Sequence, residues 1–494
     1  MKKSRKSPAT ETRVEEIAGH IPGVPVQTGQ TVELDIAGLT TEAEGVGRVE
    51  GYTLFVAGAL PGDRVRARVT QIGKSYGRAV LLDIVRPSPD RRAAPCPLHD
   101  ACGGCQLQHW SYGAQLRWKR QHVIDNLKRI GRLRVANGFQ GETAQPDSAA
   151  DHPPVIVHPT MGMADPWRYR NKAQVPIGPG AGGLAGGFFE PGTHRIVDLN
   201  ACLIQHGENE ELIRAVKAAA RSLGLSAYNR KTGRGLLRHV VVRHARATGQ
   251  RMVVLVTNGR DIPHAAELVG LIRERVPGVT SICQNVNTAR TPVVFGEETR
   301  VLWGEEVIYD EIGGIRFAIS PRSFFQVNTE QTETLYRKAA QYAGLTGEET
   351  VIDVYCGIGT ISLFLARRAR KVYGVEIVPE AVEDARRNAL LNGMRNVEFT
   401  AGRAEEVLPR WQAAGLRADV LVVDPPRKGC DPAVLRAMLD MRPRRIVYVS
   451  CNPSTLARDL RVLEDGGYRA VEVQPVDMFP HTTHVECCVL LVRK

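Results

Sequence analysis

From about residue 346 the chain settles into an alternation that few folds can absorb. Short, continuously apolar runs (VIDVY, VYGVE, VLVVDPP, RIVYVS) are separated by helix-like stretches such as PEAVEDARRNALLNG and STLARDLRVLEDGG. Apolar runs of this length belong to strands buried on both faces, and the helices between them supply the cover. The pattern predicts a doubly wound α/β sheet within 321–494, closed by two further strands in RAVEVQPVDMF and HVECCVLLV. In such a sheet, ligands bind beyond the carboxyl ends of the strands.

Those ends carry the polar residues. The first strand runs into DVYCGIGT (353–360), where Gly357 and Gly359 permit a tight turn and close backbone approach. Tyr355 is suited to lie against a cation or an adenine face. The second strand ends in Glu376, a carboxylate placed to bind two ribose hydroxyls. VLVVDPPRKG then sets Asp424 and two prolines at the end of the fourth strand. An acidic corner suits the cationic sulfonium of S-adenosylmethionine (SAM) better than a pyrophosphate, which would want more backbone donors and no acid. The expectation is a class I, Rossmann-like SAM methyltransferase domain.

The next strand delivers a thiol. In YVSCNPSTL (448–456), Cys451 falls where Pro453 forces the strand to end. A thiol beside a methyl donor makes sense when the accepting atom is a poor nucleophile, as carbon 5 of uracil is. Thiolate addition at carbon 6 makes carbon 5 nucleophilic, and a base must later remove the carbon 5 proton. HTTHVE (481–486) supplies Glu486, and general base catalysis is worth roughly 10²–10⁴-fold. A free thiol is only a few per cent ionised at neutral pH, so Cys451 needs assistance. Cys487 and Cys488 lie in an apolar run and read as core; His481 and His484 lack the i, i+4 spacing of a helical zinc pair. A SAM-dependent amino-group methyltransferase also carries two prolines here, but it would want an aromatic where Arg427 stands and has no use for Cys451 or Glu486. The intact pair also argues against an iron–sulfur RNA-binding protein with a degenerate methyltransferase domain.

Upstream, residues 26–87 read as five short strands with turn signals, a small OB-like β-barrel. Alternation in RVRARVTQ gives it one apolar and one basic face, and the net charge of +12 favours a polyanionic partner. Residues 88–320 are expected to form a mixed α+β central domain, with 133–154 a loop or insertion and 1–25 a disordered basic tail. No run approaches the ~18 apolar residues of a membrane span, and no apolar h-region follows the basic N-terminus, so the expected location is the cytoplasm. Ten cysteines there point to metal or chemistry rather than disulfides. Cys96, Cys102 and Cys105, with Gly-Gly between the last two, could hold zinc or a 4Fe–4S cluster.

Together SPRSFFQVN (320–328), DVYCGIGT, VYGVE (372–376), DPPRKG (424–429), SCNPSTL (450–456) and HTTHVE resemble the SAM-dependent RNA 5-methyluridine methyltransferases, specifically the large 23S rRNA type. The resemblance implies that Cys451 is the nucleophile and Glu486 the base. It implies that Gln326, Tyr355, Glu376 and Asp424 contact SAM and that Phe324 packs by the target base. Some relatives carry Asn at Thr360, which speaks against a cofactor contact there. The barrel is similar to a TRAM domain, an RNA-binding module. Cys202, in LNACLIQ, completes the family's 4Fe–4S ligation, with zinc the alternative. Arg168, Arg170 and Lys172 alternate in WRYRNKAQ (167–174) and would share one face of an extended strand, towards RNA phosphates. Shorter tRNA-directed bacterial members lack both barrel and cysteines, so the implied substrate is 23S rRNA, with tRNA the alternative. A monomer is the default for this type.

Overall fold

The computed structural model describes residues 21–136, 153–180 and 183–494. The expected basic tail up to residue 20, and residues 137–152 of the expected insertion, lie outside the described residues. The chain divides into two compact units, one reaching to Ala93 with His109–Ser111, the other made of Ala94–Gln108 and Tyr112–Lys494. No helix among the described residues is long and apolar enough to cross a membrane.

The first unit is a closed five-stranded barrel in which Thr31–Leu39, Glu44–Val49, Tyr52–Ala57, Tyr76–Arg86 and Arg64–Ile72 are successive neighbours. Strict alternation makes it possible: in RVRARV the valines and Ala67 point inward while Arg64, Arg66 and Arg68 point out. The turn ALPGD closes on a fully buried Asp63, which accepts from the backbone of Leu60 and Ser88 and pairs with Arg91. Burial pushes that carboxyl up, but Arg91 and the two amides outweigh it and hold Asp63 below its ordinary range. The outward basic face is more neutral than alternation alone predicts. Arg64 lies 3.7 Å from Glu33, Arg66 3.3 Å from Asp83 and Arg78 3.2 Å from Glu44. Such exposed pairs are worth about 0–1 kcal/mol and open readily to a competing anion.

The second unit contains two large sheets. A seven-stranded sheet runs Glu298–Gly304, Ser281–Val286, Arg251–Thr257, Leu237–His244, Lys172–Gly178, Ala185–Phe189, Ile196–Asp198, and its core includes residues of the helices Gly207–Ser222 and Ala265–Arg275. An eight-stranded sheet runs Val397–Ala401, Lys371–Glu376, Thr350–Val354, Val420–Val423, Arg445–Ser450, Glu486–Arg493, Tyr468–Val476, Ile156–Val157. Its first five strands are parallel; Glu486–Arg493 is wedged antiparallel between Arg445–Ser450 and Tyr468–Val476. This is the doubly wound α/β arrangement the apolar runs predict, with separate cores on its two faces.

The segment read as a central domain is not set apart from this sheet. Helix Tyr112–Arg129 packs its Val123, Ile124 and Leu127 into one of the sheet's cores, and Ile156–Val157 forms its last strand. The sequence offers no local signal for this, because the helix and strand they meet at the sheet, Pro453–Asp465 and Tyr468–Val476, lie more than 300 residues away.

Candidate active site

Register fixes which side chains leave the sheet together. Val354 pairs with Val375 and with Val423, and Ser450 pairs with Cys487. Tyr355, Glu376, Asp424 and Cys451 therefore all emerge at the carboxyl edge. Glu486 begins an antiparallel strand, so its start falls on that same edge, next to Cys451.

Each of these residues is held by local structure. Tyr355 sits at φ +68° and Gly357 at +54°, a left-handed corner that turns the chain across the strand end. The Glu376 carboxylate accepts from the Gly357 amide at 3.1 Å and the Val378 amide at 3.0 Å, which fixes it while leaving lone pairs for a ligand's hydroxyls. The two glycines serve different ends. A Cβ at Gly357 would meet nothing, whereas one at Gly359 would lie 3.0 Å from the Phe399 ring and 3.3 Å from Ala385. Gly357 leaves room for a ligand; Gly359 allows the helix Thr360–Ala366 to close on the sheet. The Thr360 hydroxyl is 3.0 Å from the Tyr336 hydroxyl, so its hydrogen bond runs to the protein.

Cys451 is half-buried and directly precedes Asn452, which caps helix Pro453–Asp465 by accepting from the Ser454 amide at 3.0 Å. Asn452 also donates to the Arg427 carbonyl, tying the DPPRKG corner to the thiol's helix. Burial pushes the Cys451 thiol up to about 11; Glu486 and Asp424 add to this and Arg427 opposes it. Burial, then Asp424, pushes Glu486 up to about 8, again with Arg427 opposing, and burial alone raises Asp424 to about 6. Three acidic groups thus share a corner where burial disfavours more than one negative charge, and a cationic ligand would lower all three. Arg427, which sequence reasoning noted only for not being aromatic, is the cation that acts on both Cys451 and Glu486. A basic residue directly after the Pro-Pro corner is the signal that could have found it.

The SPRSFFQVN loop is fastened at Ser323, whose carbonyl accepts from Arg243 at 2.5 Å, and at Gln326 and Val327, whose carbonyls accept from Asn171 at 2.9 and 2.8 Å. Phe325 enters the core, while Phe324 stands 70% exposed, free to meet a ligand rather than to fill space. Phe324 and Gln326 line a cavity of about 630 Å³ that also receives Arg170, Lys172 and all four of Cys96, Cys102, Cys105 and Cys202. Burial, then Arg243 and Arg170, pushes Lys172 down to about 6.

Arg168 does not join them. It adopts φ +53°, bonds the carbonyls of Cys202 and Gln205 and pairs with Glu210, so it braces the Cys202 turn. The shared face predicted for Arg168, Arg170 and Lys172 fails because the strand begins only at Lys172.

The four cysteines line one cavity although Cys202 is remote in sequence. Cys105 and Cys202 pack with Trp167 against Met163, Tyr169 and Ile204, and burial pushes Cys105 up to about 12. Among the described residues, the metal-ligating side chains that gather within 4.8 Å of one another are instead His206, Glu208 and His244. There the two imidazoles stack at 4.0 Å and Arg251 lies 3.8 Å from Glu208, so a cation already occupies the carboxylate.

Residues 311–494 match the family described as tRNA (Uracil-5-)-methyltransferase, and residues 25–82 match the TRAM domain. The chain is 56% identical over 470 residues to an uncharacterized RNA methyltransferase of Halalkalibacterium halodurans, covering 95% of this chain and 98% of that one. It is 48% identical to one of Listeria innocua, covering 95% and 99%. Among solved structures, it is similar to the tRNA (uracil-54, C5)-methyltransferase of Pyrococcus abyssi in complex with S-adenosyl-L-homocysteine, with a TM-score of 0.71, 30% identity, and coverage of 93% of this chain and 100% of that one. The chain belongs to the RNA (uracil-5-)-methyltransferase family and is a SAM-dependent RNA methyltransferase.

Proposed function

We propose that the enzyme methylates carbon 5 of a uridine in 23S rRNA through a covalent adduct with Cys451. The observation that carries this is the adjacency of a half-buried thiol and a buried carboxylate, Cys451 and Glu486, at paired strand ends beside Asp424. SAM supplies the methyl group, with Glu376, Tyr355, Gln326, Asp424 and the Gly357–Gly359 turn as its binding residues. Cys451, its proton lost to solvent, adds as the thiolate to carbon 6; the ring's π electrons shift to an enolate, and carbon 5 then takes the methyl group from the sulfonium of SAM, which leaves as S-adenosylhomocysteine. Glu486 removes the carbon 5 proton; the electrons re-form the ring double bond and the sulfur–carbon bond breaks. The target must leave its stack to reach a thiol recessed in this way, with the exposed Phe324 ring beside it and Arg170 and Lys172 on phosphates.

Cys96, Cys102, Cys105 and Cys202 fit a 4Fe–4S cluster better than zinc. A single zinc with bonds of about 2.3 Å would draw its sulfurs to roughly 4 Å apart, and these thiols are not gathered so closely. The cluster would be held between the cysteine loop and the Cys202 turn. A monomer in the cytoplasm is the form we assign.

A tRNA substrate is the second reading, and the Pyrococcus abyssi enzyme favours it. That tRNA methyltransferase aligns over 93% of this chain, so a barrel does not by itself separate the two RNA classes. The test is a denaturing gel of enzyme incubated with SAM and 5-fluorouridine RNA, as an rRNA fragment and as a tRNA pool. A shifted band with the rRNA fragment, absent in Cys451→Ala, is expected. A band with tRNA alone would move the assignment to tRNA, and no band with either would remove the thiol mechanism.

A further inference from the structure

We infer that His481 is a positioning residue that locks the Glu486 loop to the cysteine-bearing loop, an inference that rests on Glu486 acting as the base. The loop from Asp477 to Val485 joins two neighbouring strands, and much of it is tied down from outside. Lys119 reaches Asp477 at 2.5 Å and the Phe479 carbonyl at 3.1 Å, with both charged side chains fully buried. Tyr169 donates to the Pro480 carbonyl at 3.1 Å.

At His481 the ties converge. Its carbonyl accepts from the Gln106 amide at 3.0 Å and the Leu107 amide at 2.9 Å, the two residues directly after Cys105. Its own amide donates to the Gln115 side chain at 3.0 Å, and Gln115 in turn donates to the Leu107 carbonyl at 3.0 Å. The imidazole stacks on Trp167 at 3.8 Å, and Trp167 packs on the same small cluster of Met163, Tyr169 and Ile204 that Cys105 and Cys202 pack on. Burial and the nearby Lys119 push His481 down to about 3, so the ring is a neutral plate rather than a titrating group.

His481 adopts φ +65°, a left-handed turn that a non-glycine residue keeps only where its surroundings impose it. From there the chain runs through Thr482, bonded to the Phe479 carbonyl at 2.8 Å, and buried Thr483 and Val485 to the carboxylate. On this short path only His484 is exposed, so a shift at His481 has little room to be absorbed before it reaches Glu486. His481 touches no reacting atom in this reading. It sets where the base stands.

Gln115→Leu removes the side-chain ties to the His481 amide, the His481 ring and the Leu107 carbonyl, and His481→Gly keeps the left-handed backbone while removing the stacked ring. Each is incubated with SAM and unmodified RNA beside wild type and Glu486→Gln, and the fraction of protein held as covalent adduct is read with turnover. Mispositioning the base slows adduct release more than adduct formation. The expected result is an adduct fraction raised at least fivefold with turnover lowered and SAM affinity within twofold of wild type. Adduct and turnover falling together, or both unchanged, would overturn the inference. If Gln115→Leu does not fold, His481→Gly carries the same reading. Failure of Glu486→Gln to accumulate adduct would instead sink the base assignment, and the inference with it.

Discussion

Arg427 shows how much one exposed side chain can govern a corner where burial raises three acidic groups. It favours the ionised forms of both Cys451 and Glu486 against their burial. Removing it raises both groups further, so the ionised fractions appear only at higher pH. Arg427→Gln is expected to shift the acid limb of the kcat/KM profile upward. The loss is about three- to tenfold at neutral pH, since one unit of pKa is tenfold in the ionised fraction below it, and it narrows in alkaline buffer. A profile that keeps its shape and only drops in height would assign Arg427 to RNA binding alone. Glu376, Asp424 and Cys451 were legible in sequence because each stands at the end of a predictable strand, and Glu486 because it opens one. Arg427 was not, since its effect depends on a strand pair that only folding brings beside the DPP corner.

At the scale of elements, the glycine-bearing turn divides its work between space and packing. Gly359→Ala must place a Cβ against Phe399 in a left-handed conformation, and a cost of about 1–3 kcal/mol is expected in urea unfolding. Gly357→Ala meets no neighbour, so more of its penalty should appear in SAM affinity, measured by calorimetry. Equal effects of the two on both readouts would contradict this division. The barrel strands and the βα alternation were legible because their periodicity is local. That the helix Tyr112–Arg129 belongs to the core of the eight-stranded sheet was not legible, since its packing partners include residues from the far end of the chain. Alternation also misled at Arg168, where a positive φ breaks the strand pattern and Glu210 takes the charge.

Across the whole molecule, the 65 lysines and arginines overstate the cations available to RNA, because many are already paired with acidic side chains. For single-stranded RNA each phosphate contact contributes a slope of about −0.7 in log K against log salt. Arg170→Ala is expected to flatten the slope by about that amount, whereas Arg168→Ala leaves it unchanged and acts on the Cys202 turn instead. Equal slopes for the two variants would return Arg168 to the RNA face. The convergence of four cysteines on one cavity is likewise a property of the whole unit; spacing could pair the first three, and only family resemblance reached Cys202.

The tie between Gln115 and His481 spans 366 residues. Protein synthesis runs at about 5–20 residues per second, so roughly 20–70 s separate the emergence of the two partners. During that interval Cys96, Cys102 and Cys105 are made and open to solvent, while the loop that will cover the Gln106 and Leu107 amides does not yet exist. The three thiols are thus in place well before the His481 carbonyl can tie down the Gln106 and Leu107 amides.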